Sequence, residues 1–454
     1  MLLSRRTKKR LLLVALVAFI GGALYVSLEE GEITVLKHDI SKISNLKEDI
    51  VATWTRIPKV YIYSLPPKFN RDIVNCLEDA KFPTYCLHLD NGGIGKLLYR
   101  EGEMGVFHTN QFSLEVILHN QLLHSRYRTM SPEEADIFYI PAYMGVSRYC
   151  KTSETVIKLQ EELFKVIHSM PYLRQGKPHL SALAKIEREQ AAPDYPLLQN
   201  PNCRNVTYVA IEKDYNQKYR QSLGLENQRI IVAPYPSYVH LYNAKSAPQA
   251  ISSPGLGARQ VLMFIAAGVK TNQFRQRVLD QMSHRVTDVS FEQIVDVLKQ
   301  QEQKMPTGVF LNTMECHSGH ENITIGWMQK SVFCLQPPGD SPTRKSFYDS
   351  IQSGCIPVIF RFADQNVEYP FQRVLNYTDF SVAIDSARIE RQEKIEDILK
   401  VIPKDEVKRL HQNVLKVARM LQYSVVESGT SDQLRSRKDA LDMIMGEVKH
   451  MYNR

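Results

Sequence analysis

The sequence lacks the short motifs that mark several large enzyme classes. It contains no Gly-x-Ser-x-Gly and no His-Glu-x-x-His, so it has neither a serine nucleophile elbow nor a zinc-protease helix. Cys-x-x-Cys, a Walker loop and Gly-x-Gly-x-x-Gly are also absent, as are internal repeats and low-complexity tracts. Hydrolases, phosphatases and zinc sites built on these motifs are therefore disfavoured.

The excess of positive charge is small once the first ten residues are set aside. The formal net charge is +8 at pH 7, and removing the five cations of the segment 5–10 leaves +3. So small a charge gives no argument for a nucleic-acid partner. With 454 residues and 43% hydrophobic content, the chain is long enough to bury more than one core.

An uncharged stretch follows the basic start. Residues 11–28 carry no charge and would span about 27 Å as a helix, close to the roughly 30 Å hydrocarbon core of a bilayer. We predict a transmembrane signal anchor over 11–28, a cytosolic tail over 1–10 and a lumenal remainder, because positive charges stay on the cytosolic side. A signal peptide cleaved near Gly21 to Ala23 is the alternative.

Residues 29–56 mix charged and isolated apolar positions, which is typical of a stem that holds a domain away from a membrane. One amphipathic helix that pairs two chains is the alternative for this segment. The apolar positions of that helix would be Ile33, Leu36, Ile40, Ile43 and Leu46.

The seven cysteines cannot all pair within one chain. Cys76 and Cys86 lie ten residues apart in a region with proline and glycine, and we predict that they form a disulfide in an oxidising lumen. Cys334 and Cys355 fall in predicted buried strands, so we expect inert thiols there. Three cysteines stay unassigned: Cys150, Cys203 and Cys316.

Three Asn-x-Ser/Thr acceptors for N-glycosylation are present. A lumenal orientation would make their use possible, although three is close to the number expected by chance in a chain of this length. They are Asn205, Asn322 and Asn376.

The most informative stretch is VFCLQPPGDSPTRKSFYDSIQSGCIPVIF, from Val332 to Phe360. Its apolar start predicts a buried parallel strand that breaks at Pro337. A helix over Thr343 to Ser353 and a second strand over Cys355 to Phe360 follow. Together they predict one βαβ unit, and open α/β sheets bind ligands at the turn after the first strand.

The start of the predicted helix has the composition of an anion site. Arg344 and Lys345 fall beside free backbone N–H groups and the positive end of the helix dipole, so the pattern predicts a phosphate-bearing ligand. An ordinary crossover with solvated cations is the alternative. Asp349 lies four residues after Lys345, where a simple ion pair is the alternative to a part in ligand binding.

The same stretch resembles the nucleotide-sugar signature of the exostosin-like glycosyltransferases, glycosyltransferase family 47, and is most similar to its plant-type xyloglucan galactosyltransferase branch. Three other stretches resemble that family in order. They are KVYIYSLPPKFN from Lys59, HTNQFSLEVILHNQLLHSRYRTMSPEEADIFYIPAYMG from His108, and RQGKPHLSALAKIE from Arg174. APYPSYVH, from Ala233 to His240, is similar to the linker into the second lobe of that family.

The resemblance implies an α/β fold of the GT-B type, with two Rossmann-like lobes that face a cleft. We place the acceptor lobe at 57–228, the nucleotide-sugar lobe at 229–390 and C-terminal helices at 391–454, the last expected to cross back to the first lobe. It also implies an inverting enzyme of the Golgi membrane, single-pass type II with a lumenal catalytic domain. We expect it to transfer a sugar, galactose favoured, from a UDP-sugar to a polysaccharide or glycan. A homo- or hetero-oligomer is compatible with this interpretation.

The resemblance also suggests which residues bind the donor. The sequence has no Asp-x-Asp triplet, the usual metal-holding pair of single-Rossmann glycosyltransferases. We therefore expect no metal, with arginine, lysine and helix N–H groups stabilising the leaving diphosphate. The donor-binding candidates are Lys270, Arg275, Gly339, Asp340, Ser341, Arg344, Lys345 and Asp349.

His179 is the candidate catalytic base, which would take a proton from the acceptor hydroxyl. A lone histidine is more often structural, and the acidic residue that precedes this histidine in the family is replaced by Pro178. A catalytically weak family member that serves as a scaffold or partner subunit of a glycan-synthesising complex is therefore the alternative function.

Overall fold

The computed structural model describes residues 25–29, 32–36, 57–78, 88–191, 197–242, 254–268, 272–312, 320–426 and 438–452. The chain divides into two compact units, Met1–Ile57 and Pro58–Arg454. Within these described ranges, no helix has both the length and the apolar character needed to cross a bilayer.

The first unit contains an antiparallel hairpin of β1, Tyr25–Glu29, and β2, Glu32–Leu36. The predicted transmembrane helix lies outside the described residues except for 25–28, which belong to β1, so the helix prediction is wrong for those four positions. The start of the alternative stem helix is also wrong, since Ile33 and Leu36 lie in β2. Tyrosine and valine in β1, and isoleucine, threonine and valine in β2, favour strands.

The second unit holds the rest of the described secondary structure. Its strands are β3 Val60–Ile62, β4 Leu97–Glu101, β5 Met104–Phe107, β6 Arg128–Thr129, β7 Ile137–Tyr139, β8 His179–Leu183, β9 Val206–Ala210, β10 Ile230–Val232, β11 Val239–Leu241, β12 Val261–Ala267, β13 His284–Val286, β14 Gly308–Asn312, β15 Ser331–Gln336, β16 Ile356–Arg361 and β17 Val382–Asp385. Its helices are α1 Arg71–Glu78, α2 Leu114–Leu123, α3 Met144–Ser147, α4 Ser153–Ser169, α5 Pro171–Arg174, α6 Gln217–Ser222, α7 Gln273–Leu279, α8 Phe291–Gln300, α9 His320–Gln329, α10 Lys345–Gln352, α11 Ser386–Glu390, α12 Ile395–Lys400, α13 Lys404–Val417 and α14 Ala440–Tyr452.

The first lobe is built on a six-stranded parallel sheet in the order β10-β9-β8-β7-β3-β6. Every residue of β8 and β9 is buried, as expected for strands of a parallel sheet that is covered on both faces. The same lobe has a small antiparallel sheet, β11-β5-β4. Its strand β5 ends at Phe107, just before the loop that leads into α2.

The second lobe is built on another six-stranded parallel sheet, in the order β13-β14-β12-β15-β16-β17. The two parallel sheets confirm the prediction of two Rossmann-like lobes. In each sheet the strands extend to both sides of the first strand. The topological switch point, where the two sides meet, lies between β3 and β7 in the first lobe and between β12 and β15 in the second. Open α/β sheets bind ligands in the crevice at such a switch point, at the carboxyl ends of the strands.

The described strands place the boundary between the lobes later than the sequence did. Ile230–Val232 pairs with β9, and Val239–Leu241 pairs with β5, so both belong to the first lobe. The predicted boundary at 228/229 is therefore wrong, because the proline-rich segment after β10 returns to the first lobe's small sheet before the chain enters the second lobe.

The C-terminal helix α14 packs on the first lobe, which confirms the predicted crossing. The hydroxyl of Tyr127 donates to Asp442 at 2.5 Å, and the hydroxyls of Tyr452 and Thr207 lie 2.6 Å apart. Before α14, Gln121 donates to the carbonyl of Ser424 at 2.9 Å. The last helix therefore completes the outer surface of the first lobe.

The disulfides differ from the prediction. Cys76 pairs with Cys150, whose Cα lies 6.0 Å away, so the predicted bond to Cys86 is wrong; Cys86 itself lies outside the described residues. Cys334 and Cys355 form a disulfide rather than two inert thiols, because β15 and β16 are neighbours and bring their Cα atoms to 5.8 Å. Cys203 is a buried free thiol.

We expect the double substitution Cys334→Ala/Cys355→Ala to lower the free energy of unfolding by about 3 kcal/mol, because it frees a loop of roughly 20 residues in the unfolded chain. Denaturant unfolding of the oxidised protein measures this change. Cys203→Ala is the control and should cost about 1 kcal/mol or less. Equal losses in the two variants would contradict the pairing.

Candidate functional site

The signature stretch folds as the predicted βαβ unit, β15-α10-β16, and its first strand ends at the switch point of the second lobe. Helix α10 begins at Lys345, two residues later than predicted, and ends before Gly354, whose φ of +67° suits glycine. Arg344 precedes the helix in an extended conformation and makes no side-chain cap. The loop 337–344 is therefore a turn that follows the carboxyl end of β15.

Two guanidinium groups lie at this turn. Arg344 donates to the carbonyls of Ala266, at 2.8 Å, and Pro337, at 3.4 Å, so it joins the ends of β12 and β15. Arg275, on α7, donates to the carbonyl of Pro338 at 3.1 Å and is 9% exposed. A Cβ atom on Gly339 would stand 2.4 Å from the Arg275 guanidinium, so glycine is needed for this approach.

The two guanidinium groups repel each other. Burial, together with the nearby charge of Arg275, lowers the pKa of Arg344 to about 9. Burial also lowers the pKa of Arg275, and Asp340 opposes that shift. Asp340 and Asp349 offset part of this charge from a distance, but no described carboxylate forms an ion pair with either guanidinium group.

Lys345 and Asp349 bind each other rather than the turn. The Lys345 ammonium lies 2.9 Å from both Asp349 oxygens and over the ring of Tyr238. Burial lowers the pKa of Lys345 to about 8 and raises the pKa of Asp349, while their attraction opposes both shifts. Asp349 also accepts the Tyr238 N–H at 2.8 Å, so the pair attaches the interlobe linker to α10.

Glu212 bridges the two lobes. It follows β9, and its carboxylate accepts the Ser341 hydroxyl at 2.9 Å, the Thr343 N–H at 3.1 Å and the Thr343 hydroxyl. Burial raises the pKa of Glu212, and these hydrogen bonds oppose the rise. The sequence analysis missed Glu212, although its place shortly after the β-branched and apolar run Val206–Ala210 was a usable signal.

Two further contacts cross between the lobes at the same edge. Arg188 donates to the carbonyl of Asp340, and Lys213 forms an ion pair of 2.7 Å with Glu368. The turns that follow β8 and β9 therefore contact the loops that follow β15 and β16. The signature loop is held from the opposite lobe.

Two cavities border the signature loop and share Pro338 and Pro342. One has a volume of about 630 Å³, and the other has a volume of about 980 Å³. Both fall within the range of ligand sites. The walls of the first include Arg188, Asn272, Arg277, Gly339, Asp340 and Ser341.

The remaining predicted residues have varied positions. Lys270 lies outside the described residues. Of the glycosylation acceptors, Asn205 and Asn376 are exposed. Asn322 lies half-buried in the first turn of α9, and its buried carboxamide oxygen has no hydrogen-bond partner within the described ranges.

His179 does not face the cleft. It is the first residue of β8, four residues or roughly 13 Å from the carboxyl end of that strand. Its ring is fully buried, with Nε2 3.0 Å from the Tyr63 hydroxyl and Nδ1 2.7 Å from the carbonyl of Lys177. His179 is therefore not placed to act as the predicted base, because parallel strands present their carboxyl ends to the ligand and His179 begins its strand.

We expect His179→Gln to lower the free energy of unfolding by about 1 to 2 kcal/mol, since it disturbs two buried hydrogen bonds. Sugar transfer per folded molecule should stay within about twofold of wild type, measured with a labelled donor. A folded variant with a hundredfold loss of turnover would contradict the structural role.

Glu115 is a second buried carboxylate at the carboxyl edge of the first-lobe sheet. It accepts the N–H groups of Gly145 at 2.8 Å and Val146 at 3.1 Å, which start α3 after β7. Burial raises the pKa of Glu115 from 4.5 to about 8, against the pull of those N–H groups. Glu115 therefore binds a proton in the folded protein that it does not bind in the unfolded chain at neutral pH.

Because the folded pKa exceeds the unfolded value, the stability that Glu115 contributes is complete below about pH 4.5 and is lost as the pH rises through about 8. We expect Glu115→Gln to flatten the fall in unfolding free energy between these pH values, measured by denaturant titration. Glu154→Gln, at an exposed site on α4, is the control and should keep the wild-type slope. Identical slopes in wild type and Glu115→Gln would contradict the shift.

Relatives in Arabidopsis thaliana resemble most of the chain. "Probable xyloglucan galactosyltransferase GT15" is 28% identical over 389 residues, which cover 80% of this chain and 76% of that protein. Xyloglucan galactosyltransferase MUR3 is 26% identical, with 86% of this chain and 61% of that protein covered. Xyloglucan-specific galacturonosyltransferase 1 is 29% identical over 75% of this chain and 49% of that protein.

Solved structures are similar only at low identity. Anabaena Alr3699/HepE, crystallised with UDP and glucose, is 10% identical with a TM-score of 0.34, over 87% of this chain and all of that one. Sucrose-phosphate synthase from Thermosynechococcus elongatus is 8% identical with a TM-score of 0.33, over 87% of this chain and 99% of that one. The Exostosin GT47 domain matches residues 55–399, well over half of the sequence. The chain belongs to the exostosin GT47 family and is a glycosyltransferase.

Proposed function

We propose that the enzyme transfers a sugar, galactose in the first instance, from a UDP-sugar to a hydroxyl group of a polysaccharide or glycan. The observation that carries this proposal is the pair of guanidinium groups, Arg275 and Arg344, at the switch point of the second lobe. Arg275 is 9% exposed and Arg344 is half-buried, and in the described part of the chain neither forms an ion pair with a carboxylate.

The argument rests on the cost of burying charge. A cation removed from water without an anion is unfavourable, and the lowered pKa of Arg344 reflects that cost. Two adjacent guanidinium groups suit an anion with two charges, and arginine binds phosphate oxygens in a planar, bidentate way. A diphosphate in the crevice would relieve the repulsion between Arg275 and Arg344.

The same cations explain how the leaving group would depart. As the bond to the anomeric carbon breaks, negative charge grows on the diphosphate, and fixed positive groups stabilise that charge. We propose that Arg275 and Arg344 provide this stabilisation without a metal ion. Attack from the first-lobe side would invert the anomeric configuration.

The acceptor and the compartment are proposed on separate grounds. The relatives are named for transfer to xyloglucan, which favours a polysaccharide acceptor. One of them is named a galacturonosyltransferase, so the identity of the donor sugar is tested below. The basic residues of 5–10, the uncharged stretch that begins at Leu11 and two disulfides support a lumenal enzyme anchored in the Golgi membrane.

The scaffold alternative loses its main support. It rested on Pro178, which was expected to weaken a catalytic His179. The carbonyl of Pro178 accepts the N–H of Phe138 at 2.9 Å, so this residue takes part in the amino end of the sheet. Pro178 therefore gives no reason to expect lost catalysis.

The test uses the full-length chain in detergent, titrated with UDP by calorimetry and assayed with UDP-galactose, UDP-galacturonic acid, UDP-xylose, UDP-arabinose and UDP-glucuronic acid on xyloglucan oligosaccharides. We expect Arg344→Met to weaken UDP binding about 10- to 100-fold, since it removes a charge-assisted hydrogen bond to phosphate. Arg344→Lys should recover part of that loss. EDTA should leave the rate of transfer unchanged.

Arg285→Gln is the matched control, because Arg285 is an exposed arginine on the edge strand β13 of the same lobe. It should bind UDP as wild type does. Where Arg344→Met is not folded, Arg275→Lys takes its place and should also weaken binding. Unchanged UDP affinity in folded variants of both arginines would overturn the proposed donor site.

A further inference from the structure

The first lobe contributes a histidine that meets a carboxylate of the second lobe. His108 directly follows β5, and its Nδ1 contacts Oε1 of Glu321, in the first turn of α9. Both side chains are shielded, with 13% of His108 and 6% of Glu321 exposed. The ring of His88 packs against His108 with the ring centroids 4.2 Å apart.

The contact fixes the tautomer of His108. An ionised carboxylate only accepts hydrogen bonds, so the neutral imidazole carries its proton on Nδ1 and keeps a lone pair on Nε2. Within the described ranges, no group hydrogen-bonds to Nε2. This is the arrangement in which a histidine can take a proton from a bound hydroxyl.

Glu321 holds the imidazole of His108 through one of its two oxygens. The other oxygen, Oε2, is buried and has no hydrogen-bond partner in the described parts of the chain. The hydrogen bond between Glu321 and His108 therefore orients both the carboxylate and the imidazole ring.

Both residues lie near loops that follow the carboxyl ends of parallel strands. The loop from His108 leads to Phe112, whose ring lies 3.8 Å from the ammonium of Lys185, just past the carboxyl end of β8. In the second lobe, α9 is the next described element after the carboxyl end of β14, and Glu321 is close enough to raise the pKa of Lys345. Lys345 directly follows Arg344, so the pair lies near the proposed donor site.

Other carboxylates near these loops are already used as hydrogen-bond acceptors. Glu115 accepts two backbone N–H groups and is fully buried. Glu187 accepts from Arg220 and from a backbone N–H, and Glu212 accepts three hydrogen bonds from the signature loop. Unlike these three carboxylates, His108 has a nitrogen, Nε2, whose lone pair is free of hydrogen bonds to the described residues.

We propose that His108 is the catalytic base that activates the acceptor hydroxyl and that Glu321 is its positioning residue. Nε2 takes the hydroxyl proton while the acceptor oxygen forms a bond to the anomeric carbon. The bond from that carbon to the diphosphate oxygen breaks, and its electron pair leaves with UDP. Because the two residues come from different lobes, the base is complete only when the lobes adopt this arrangement. This inference rests on the proposed transfer from a UDP-sugar.

The test compares variants of the full-length chain in transfer from UDP-galactose to xyloglucan oligosaccharides, or from whichever UDP-sugar the wild type uses. We expect His108→Ala to lower kcat by about 10²- to 10⁴-fold, with the Kd for UDP within about twofold of wild type. Added imidazole should restore about tenfold of the lost rate. Glu321→Gln should lower kcat about tenfold or more with little change in KM, and Glu321→Asp should recover part of it.

His124→Ala is the matched control, because His124 is an exposed histidine at the end of α2; it should keep the wild-type rate and show no response to imidazole. A folded His108→Ala enzyme with near wild-type kcat, or one whose lost rate imidazole does not restore, would overturn the inference. If His108→Ala does not fold, His108→Gln and Glu321→Gln decide by the same kcat criterion. A wild-type enzyme that neither binds UDP nor uses any UDP-sugar would instead refute the proposed function.

Discussion

The carboxylate of Glu212 is the interaction on which the arrangement of the site depends. It reaches from the first lobe to the hydroxyl and N–H groups of Ser341 and Thr343, so the loop before α10 takes its shape from the opposite lobe. A carboxylate buried at this point requires those donors, because a charge in the protein interior is unfavourable without them. The position of the loop in turn places Arg344 across the ends of β12 and β15.

The different roles of Arg275, Arg344 and Lys345 follow from this arrangement. Among the described residues, the hydrogen bonds of Arg344 and Arg275 go to carbonyl oxygens, which leaves their charge available to a ligand. Lys345 is instead neutralised by Asp349 and belongs to the structure of the linker. Two neighbouring residues in the sequence, Arg344 and Lys345, thus differ in role because one precedes the helix and the other lies within it.

The sequence was sufficient for much of the fold. The βαβ unit and its buried strands could be predicted because apolar patterns and turn residues are local signals, whereas the return of the last helix was expected from the family resemblance. Partners distant in the sequence could not be predicted. The bond from Cys76 to Cys150 and the contact of His108 with Glu321 depend on how two lobes pack. His179 was misjudged for another reason: its strand was recognised, but the direction of that strand was not used.

The returning helix α14 also covers β10, the edge strand of the first-lobe sheet. An edge strand without its cover offers unpaired backbone groups to other chains. A recombinant form shortened before Ala440 would thus lose the partner of Tyr127 and uncover this strand. The first lobe therefore needs α14 to cover an edge of its sheet, even though this helix lies far along the chain from the donor-binding turn.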